Sequence, residues 1–349
     1  MFRLSFRTGL FLVCLATLLI SCFATDVVDT AKNTVLIRGG DTSVLLEGES
    51  GKISTVYFEE DDDDDDGKDN NDDDEKEDFT DNNEELLSFQ VESLQEVDGD
   101  GKPVGLQESV QHRVSSLDSK MFRFSALDNS TFYQGIPVKT INMSDTVLSN
   151  QQGNLRLVVM VFLSAGNVTF GNETFRVQSG TMKFNIEVSD WPFCNASVSC
   201  LSQSKQPEIG KGLELTLGIK SEADDLEEDV DSDICVDPDD DPNEEDDDCP
   251  IVYKLGGNSK MALNKGVLID SGNYVAMPKG FPKVVPNGGM NKKVIFQIPI
   301  FNNTAILDPS VDVGPPTKKP GNGTGQNSAS SVQFISVAFI LSSFLVYYR

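Results

Sequence analysis

The chain has 349 residues, a formal charge of −28 at pH 7 and 38% apolar residues. A balance this acidic repels nucleic acid and anionic lipid, and favours calcium, basic proteins or a positively charged crystal face. Because the apolar content is that of an ordinary globular protein, the charge must be concentrated in part of the chain, with normal folding sequence elsewhere.

Residues 1–24 read as a secretory signal peptide. Arg3 and Arg7 precede an apolar run from Leu10 to Ile20, and Cys22-Phe23-Ala24 places small residues at the positions read for cleavage after Ala24. The run is too short for a membrane span. Cleavage removes two cations and brings the mature chain to about −30.

Residues 25–58 are expected to form an N-terminal leader with some strand character at Val35–Ile37 and Ile53–Phe58. From Glu59 to Asp78 the sequence runs EEDDDDDDGKDNNDDDEKED, without one apolar residue. Such a stretch buries too little surface to offset its ordering entropy, so residues 59–84 are predicted to be a disordered Asp-rich segment.

Residues 85–301 carry the pattern of an all-β, antiparallel, β-sandwich-like ectodomain. Met182, Phe184, Ile186 and Val188 alternate with Lys183, Asn185, Glu187 and Ser189; Leu213, Leu215, Leu217 and Ile219 alternate with Glu214, Thr216, Gly218 and Lys220. Period two with one apolar face describes half-buried antiparallel strands. Further strands are expected at 87–91, 121–126, 155–163, 267–269, 274–277 and 293–300, separated by Gly, Asn and Ser clusters. Asp98-Gly99-Asp100-Gly101 reads as a tight turn, and Trp191-Pro192-Phe193-Cys194 as a core corner beside a disulfide.

A second acidic stretch, the insert 222–249, interrupts this domain with Asp224 to Asp233 and then CVDPDDDPNEEDDDC from Cys235 to Cys249. Its two internal prolines oppose a central strand or a helix, so it reads as an exposed insertion between strands. Six cysteines are present, of which Cys14 and Cys22 leave with the signal. The remaining Cys194, Cys200, Cys235 and Cys249 suit two disulfides in an oxidising compartment. Three pairings are open, and the local one, Cys194 with Cys200 and Cys235 with Cys249, is preferred. Acceptor sequons stand at Asn129, Asn142, Asn167, Asn172, Asn195, Asn302 and Asn322, as expected of an extracellular glycoprotein.

Residues 302–331 are rich in Pro, Gly, Thr and Asn and are expected to be a flexible stalk. Residues 332–349 hold the apolar run Phe334–Tyr348 and end at Arg349. This C-terminal membrane anchor reads either as a lipid-anchor attachment signal or as a single transmembrane span. Both put the ectodomain on the extracellular face of the plasma membrane or in the secreted matrix.

The chemistry is expected in the aspartate runs. Calcium takes six to eight oxygens at tolerant distances, and an extended run presents alternate carboxylates about 6.5 to 7 Å apart. Asp61, Asp62, Asp63, Asp64, Asp65, Asp66, Asp72, Asp73 and Asp74 in the first tract, and Asp237, Asp239, Asp240, Asp241, Asp246, Asp247 and Asp248 in the second, are the candidate ligands. They imply many weak calcium sites and a calcium carbonate surface as partner. The alternative for any charge run is a solvated spacer. Asp62, Asp64, Asp66, Gly67, Asn70 and Asp73 fall at EF-hand spacings, but the last ligand is not Glu, no flanking helix is apparent, and a run of six aspartates makes the match almost automatic.

Catalysis is not expected. His112 is the single histidine and stands in an unremarkable polar context, which excludes a three-histidine zinc site and leaves one imidazole for any serine triad. With the mature cysteines in disulfides there is no thiol nucleophile, and no phosphate-binding glycine loop is present.

The segments FQVESLQEVDGDGKPVG (89–105), VMVFLSAGNVTFGNETFRVQSGTMKFNIEVSDWPFC (159–194) and LELTLGIK (213–220), together with the Asp-rich inserts, resemble the acidic, aspartic acid-rich skeletal organic matrix proteins of stony corals. The resemblance covers about 85–300. It implies a protein within or against a calcium carbonate skeleton, acting in biomineralisation, with other matrix proteins as further partners, and brings no defined catalytic residues. The alternative reading is a cell-surface adhesion or ligand-binding module whose acidic inserts bind basic partners.

Overall fold

A computed structural model describes residues 26–39, 42–57, 84–104, 112–115, 117, 122–145, 148, 153–194, 200–201, 207–221, 227–229, 250–256, 259–286 and 291–312. Its strands, in chain order, are β1 (Val27–Asp29), β2 (Thr34–Gly39), β3 (Thr42–Glu47), β4 (Lys52–Tyr57), β5 (Glu84–Val97), β6 (Arg113–Ser115), β7 (Arg123–Phe124), β8 (Asp128–Tyr133), β9 (Ile136–Asp145), β10 (Asn154–Phe162), β11 (Gly166–Phe170), β12 (Glu173–Val177) and β13 (Met182–Ser189). They continue with β14 (Cys200–Leu201), β15 (Pro207–Glu208), β16 (Gly212–Lys220), β17 (Glu227–Glu228), β18 (Ile251–Gly256), β19 (Ser259–Leu263), β20 (Gly266–Ile269), β21 (Asn273–Ala276), β22 (Lys283–Pro286), β23 (Asn291–Pro299), β24 (Thr304–Leu307) and β25 (Ser310–Asp312). No α-helix occurs among the described residues.

All strand pairing among the described residues is antiparallel, and it builds two large sheets and two two-stranded ones, β11–β12 and β14–β15. The first has nine strands in the order β1-β2-β3-β4-β5-β16-β23-β22, with β6 beside β5. The second has twelve and runs β17-β18-β19-β25-β13-β10-β9-β7, with β8 on β9, and β24 on both β13 and β20. The strongest alternation in the sequence gives the centres of both: β13 pairs with β10 from Met182↔Val161 to Ser189↔Asn154, and β16 with β23 from Gly212↔Pro299 to Lys220↔Asn291.

The apolar face of each sheet is buried against the other. Ile53, Phe89, Val91, Leu215, Leu217 and Phe296 of the first sheet share one core with Ile141, Leu157, Val159, Phe184 and Ile186 of the second. Phe89 and Phe184 meet across the interface with ring centroids 5.3 Å apart. Burying one such side chain contributes about 1.5 to 3 kcal/mol, so this shared core is the main source of cohesion.

Two boundaries differ from the sequence reading. Residues expected as a leader form β1 to β4, and β4 hydrogen-bonds directly to β5, so the body begins near residue 26. At the other end, β24 and β25 pair with β13, which keeps the chain in the sheet to Asp312 rather than releasing it as a stalk after Phe301. Segment 121–126 yields the two-residue strand β7.

A third layer was not expected. The hairpin β11–β12 lies on the face of the second sheet that points away from the first. Val168, Phe170, Phe175 and Val177 pack there on Ile136, Val138, Phe162, Val252 and Ala262. The hairpin turns at Gly171, whose φ of +61° suits glycine, and a Cβ at that position would stand 1.9 Å from the Tyr274 ring. Strands β9, β10 and β19 are thereby apolar on both sides: Met261 and Leu263 face the main core, while Ala262 faces the hairpin.

Candidate functional site

Both acidic tracts leave the fold at points where neighbouring strands are already paired. Tyr57 is the register partner of Glu84, so residues 58–83 connect two adjacent strands in the interior of the first sheet. In the second sheet, Glu227 and Glu228 of the edge strand β17 pair with Lys254 and Tyr253 of β18. The Asp229 amide then donates to the Val252 carbonyl at 2.7 Å, so residues 230–249 depart and return at one strand pair. The insert 222–249 is thus not wholly an excursion between strands, because its Glu227–Glu228 form the two-residue edge strand β17. The aspartates proposed as ligands, Asp61 to Asp66, Asp72 to Asp74, and Asp237, Asp239 to Asp241 and Asp246 to Asp248, lie outside the described residues.

The root of the second tract is anchored electrostatically. Asp229 lies 3.1 Å from Lys260 Nζ and 3.4 Å from Lys254 Nζ. Hydrogen bonding to Lys260 is the main reason its carboxyl is held below the usual aspartate range. On the first sheet, β5 begins at the end where β16 finishes, since Ser88 pairs with Lys220. The first acidic tract and the segment leading to the second therefore open from the same end of that sheet.

Asp98 behaves as the turn residue expected. Its Oδ1 accepts from the amides of Asp100 and Lys102, each at 2.9 Å, and the Gly101 amide donates to the Asp98 carbonyl. Trp191 and Phe193 are buried in the main core, and the Phe193 ring meets Phe301 edge-on at 5.1 Å.

Sequence reasoning missed a buried polar cluster at this corner. A bulge between Thr216 and Leu217 leaves Glu92 unpaired on β5 and reverses the inward parity of that strand. Leu87, Phe89 and Val91 point inward before it, Leu94 and Glu96 after it. Glu96 is therefore fully buried. Its Oε2 lies 2.8 Å from His112 Nδ1, and its Oε1 accepts from the Cys194 amide at 2.7 Å. Cys194 Sγ is 3.3 Å from the same imidazole nitrogen. Glu96, His112 and Cys194 are close enough together to suggest a metal centre. Cys194 is disulfide-bonded, however, so it offers no thiolate, and Glu96 is already satisfied by His112 and a backbone amide. The cluster is a structural knot that ties β5, the segment before β6 and the Trp191–Cys194 corner.

Of the sequons, Asn129, Asn167, Asn172 and Asn302 are exposed and Asn142 is half-buried. All five lie on the second sheet, on its covering hairpin or in the turn before β24. Asn195 and Asn322 lie outside the described residues, as do the C-terminal apolar run and the side chains of Cys200, Cys235 and Cys249. Among the described residues no helix is long and apolar enough to cross a membrane.

The model of one protein family, described as acidic skeletal organic matrix protein, matches residues 18–346. The chain belongs to that family. The match takes in both acidic tracts and all of the β-rich body. A curated relative from Acropora millepora, named uncharacterized skeletal organic matrix protein 4, is 44% identical over 62 residues, which is 18% of this chain and 30% of that protein. The aligned stretch thus spans under a third of the relative's length.

Proposed function

We propose that this protein is an extracellular component of a skeletal organic matrix that binds calcium and calcium carbonate through its two Asp-rich tracts and takes part in biomineralisation. The observation that carries the reading is the rooting of both tracts between hydrogen-bonded neighbouring strands, in a chain that belongs to the acidic skeletal organic matrix family. The paired strands of the double sheet hold each root. Carboxylates on such excursions neutralise and coordinate a hard cation without loss of folding energy.

The reading extends to glycans at the exposed sequons on the second sheet, to the local disulfide pairing, and to a tether formed by the apolar run Phe334–Tyr348. It assigns the fold no catalytic role: the one imidazole is engaged with a buried carboxylate. Calcium titration of the secreted protein tests the binding step. Several sites with dissociation constants on the order of 1 mM are expected, most of them lost when the aspartates of both tracts are changed to Asn. Equal binding by the neutralised protein would move calcium away from the tracts.

A further inference from the structure

The second, smaller core contains an ion pair for which neither the fold nor the proposed function has a use. Lys183 stands on β13 among residues that alternate in the sequence as solvent-facing, yet its side chain is completely buried, as is that of Asp308. The cause is the β11–β12 layer, which covers this face of the sheet. Asp308 lies at the break between β24 and β25, both of which pair with β13, and the Phe184 amide fixes that break by donating to the Pro309 carbonyl at 3.1 Å. Lys183 Nζ therefore meets Asp308 Oδ2 directly, in hydrogen-bond contact.

The surroundings are apolar. Nζ sits 4.7 Å from the Phe175 ring centroid, 5.3 Å from that of Tyr133 and 5.8 Å from that of Phe170. Asp308 Oδ1 is buried and has no hydrogen-bond partner among the described residues. Water solvates neither group, and a charged carboxylate with an orphaned oxygen is a costly occupant of such a site.

We propose that Lys183 and Asp308 are joined by an intramolecular amide bond, formed between these two side chains after folding. In water this condensation fails because the amine is protonated and the carboxyl ionised. Here burial lowers the proton affinity of Lys183 and raises that of Asp308, which favours a free amine facing a protonated acid. Nζ attacks Cγ, the Cγ–Nζ bond forms and the Cγ–Oδ2 bond breaks. An amine proton passes to the departing hydroxyl, which leaves as water. No oxidant, metal or activated co-reactant is needed, because no atom changes oxidation state. Holding the two groups in contact supplies the proximity that an intermolecular reaction lacks, and exclusion of water from the three-ring pocket opposes hydrolysis. In the product, Oδ1 becomes a neutral amide carbonyl, whose lack of a partner costs less than that of a carboxylate.

The bond would clamp the central strand of the second sheet to its final described segment, closing a loop between positions 125 apart in sequence. Intact mass spectrometry of the full secreted chain, after reduction and glycan removal, tests it. The wild type is expected to be lighter by one water than its sequence with reduced cysteines requires. Trypsin should fail to cut after Lys183, and a branched peptide should join the Lys183 segment to the one carrying Asp308. Lys183→Arg and Asp308→Ala are expected to restore the full mass. Where a variant does not fold, the wild-type peptide map decides alone. Full mass in the wild type, together with a free peptide ending at Lys183, would overturn the proposal.

Discussion

Tyr57 and Glu84 are register partners across β4 and β5, although the most acidic run of the chain lies between them. The geometry at that pair separates folding from charge. Replacing residues 58–83 by a short Gly-Asn turn is expected to leave the far-ultraviolet circular dichroism and the melting midpoint within a few degrees of the parent. A collapse of the fold in that variant would show that the tract has a structural duty.

Glu96 and His112 should behave oppositely, as parts of the scaffold. His112→Ala leaves a buried carboxylate without its 2.8 Å partner and is expected to cost about 3 kcal/mol in denaturant unfolding. Gly210→Ala should be comparably harmful, because its Cβ would stand 1.7 Å from Glu96 Oε1, whereas at Gly99 the nearest atom is 3.8 Å away and alanine should be tolerated. Calcium binding per folded molecule should not change in any of these variants.

Glu173 gives a signature in pH. Burial raises its proton affinity, even though Tyr274, the Lys265 amide and Asn264 all hydrogen-bond its carboxyl. Between the ordinary glutamate value and the raised one, the unfolded chain has released this proton and the folded chain still holds it. Stability from this group therefore falls as pH rises through that window. Asp270 acts in the other direction. Its carboxylate accepts from the amides of Asn302, Asn303 and Thr304, which holds its proton affinity down, so its contribution is present above the ordinary aspartate value and is lost as pH falls through the depressed one. Melting curves between acidic and neutral pH should show Glu173→Gln gaining on wild type as pH rises, and Asp270→Asn losing on it.

Glycan occupancy follows exposure. Asn129, Asn167 and Asn172 are exposed on β8, on β11 and at the hairpin tip, and each Asn→Gln change is expected to remove one glycan from the secreted protein by mass. Asn142 lies within β9, paired with Val158 of the adjacent strand, and should be the least occupied of the five described sites.

These expectations also show where the sequence was readable. Strands β13, β16 and β23 were legible because one face of each is apolar at period two and the other is polar. The hairpin β11–β12 was not, although Val168, Phe170, Phe175 and Val177 alternate around Gly171-Asn172. Short strands rich in Thr, Asn and Gly read equally well as a loop, and only the apolar outer face of β9 and β10 shows what they cover. The burial of Lys183 is hidden for the same reason: period two gives the face of a residue, not what lies over that face. Glu96 was hidden by the bulge at Glu92, which inverts the parity that strand periodicity relies on, and His112 lies in a polar stretch that gives no sign of its burial. The acidic tracts are identified by composition alone, and their aspartates lie outside the described residues.

The central claim is that the tracts, and not the sheets, recognise mineral. Adsorption of residues 25–314 to calcium carbonate crystals at physiological salt, beside a protein with Asp61–Asp66 and the acidic residues of 237–248 changed to Asn and Gln, tests it most directly. Strong adsorption of the native protein and little of the neutralised one is the predicted result. Equal adsorption by both, or by neither, would contradict the account and leave the tracts as solvated spacers on an adhesion module.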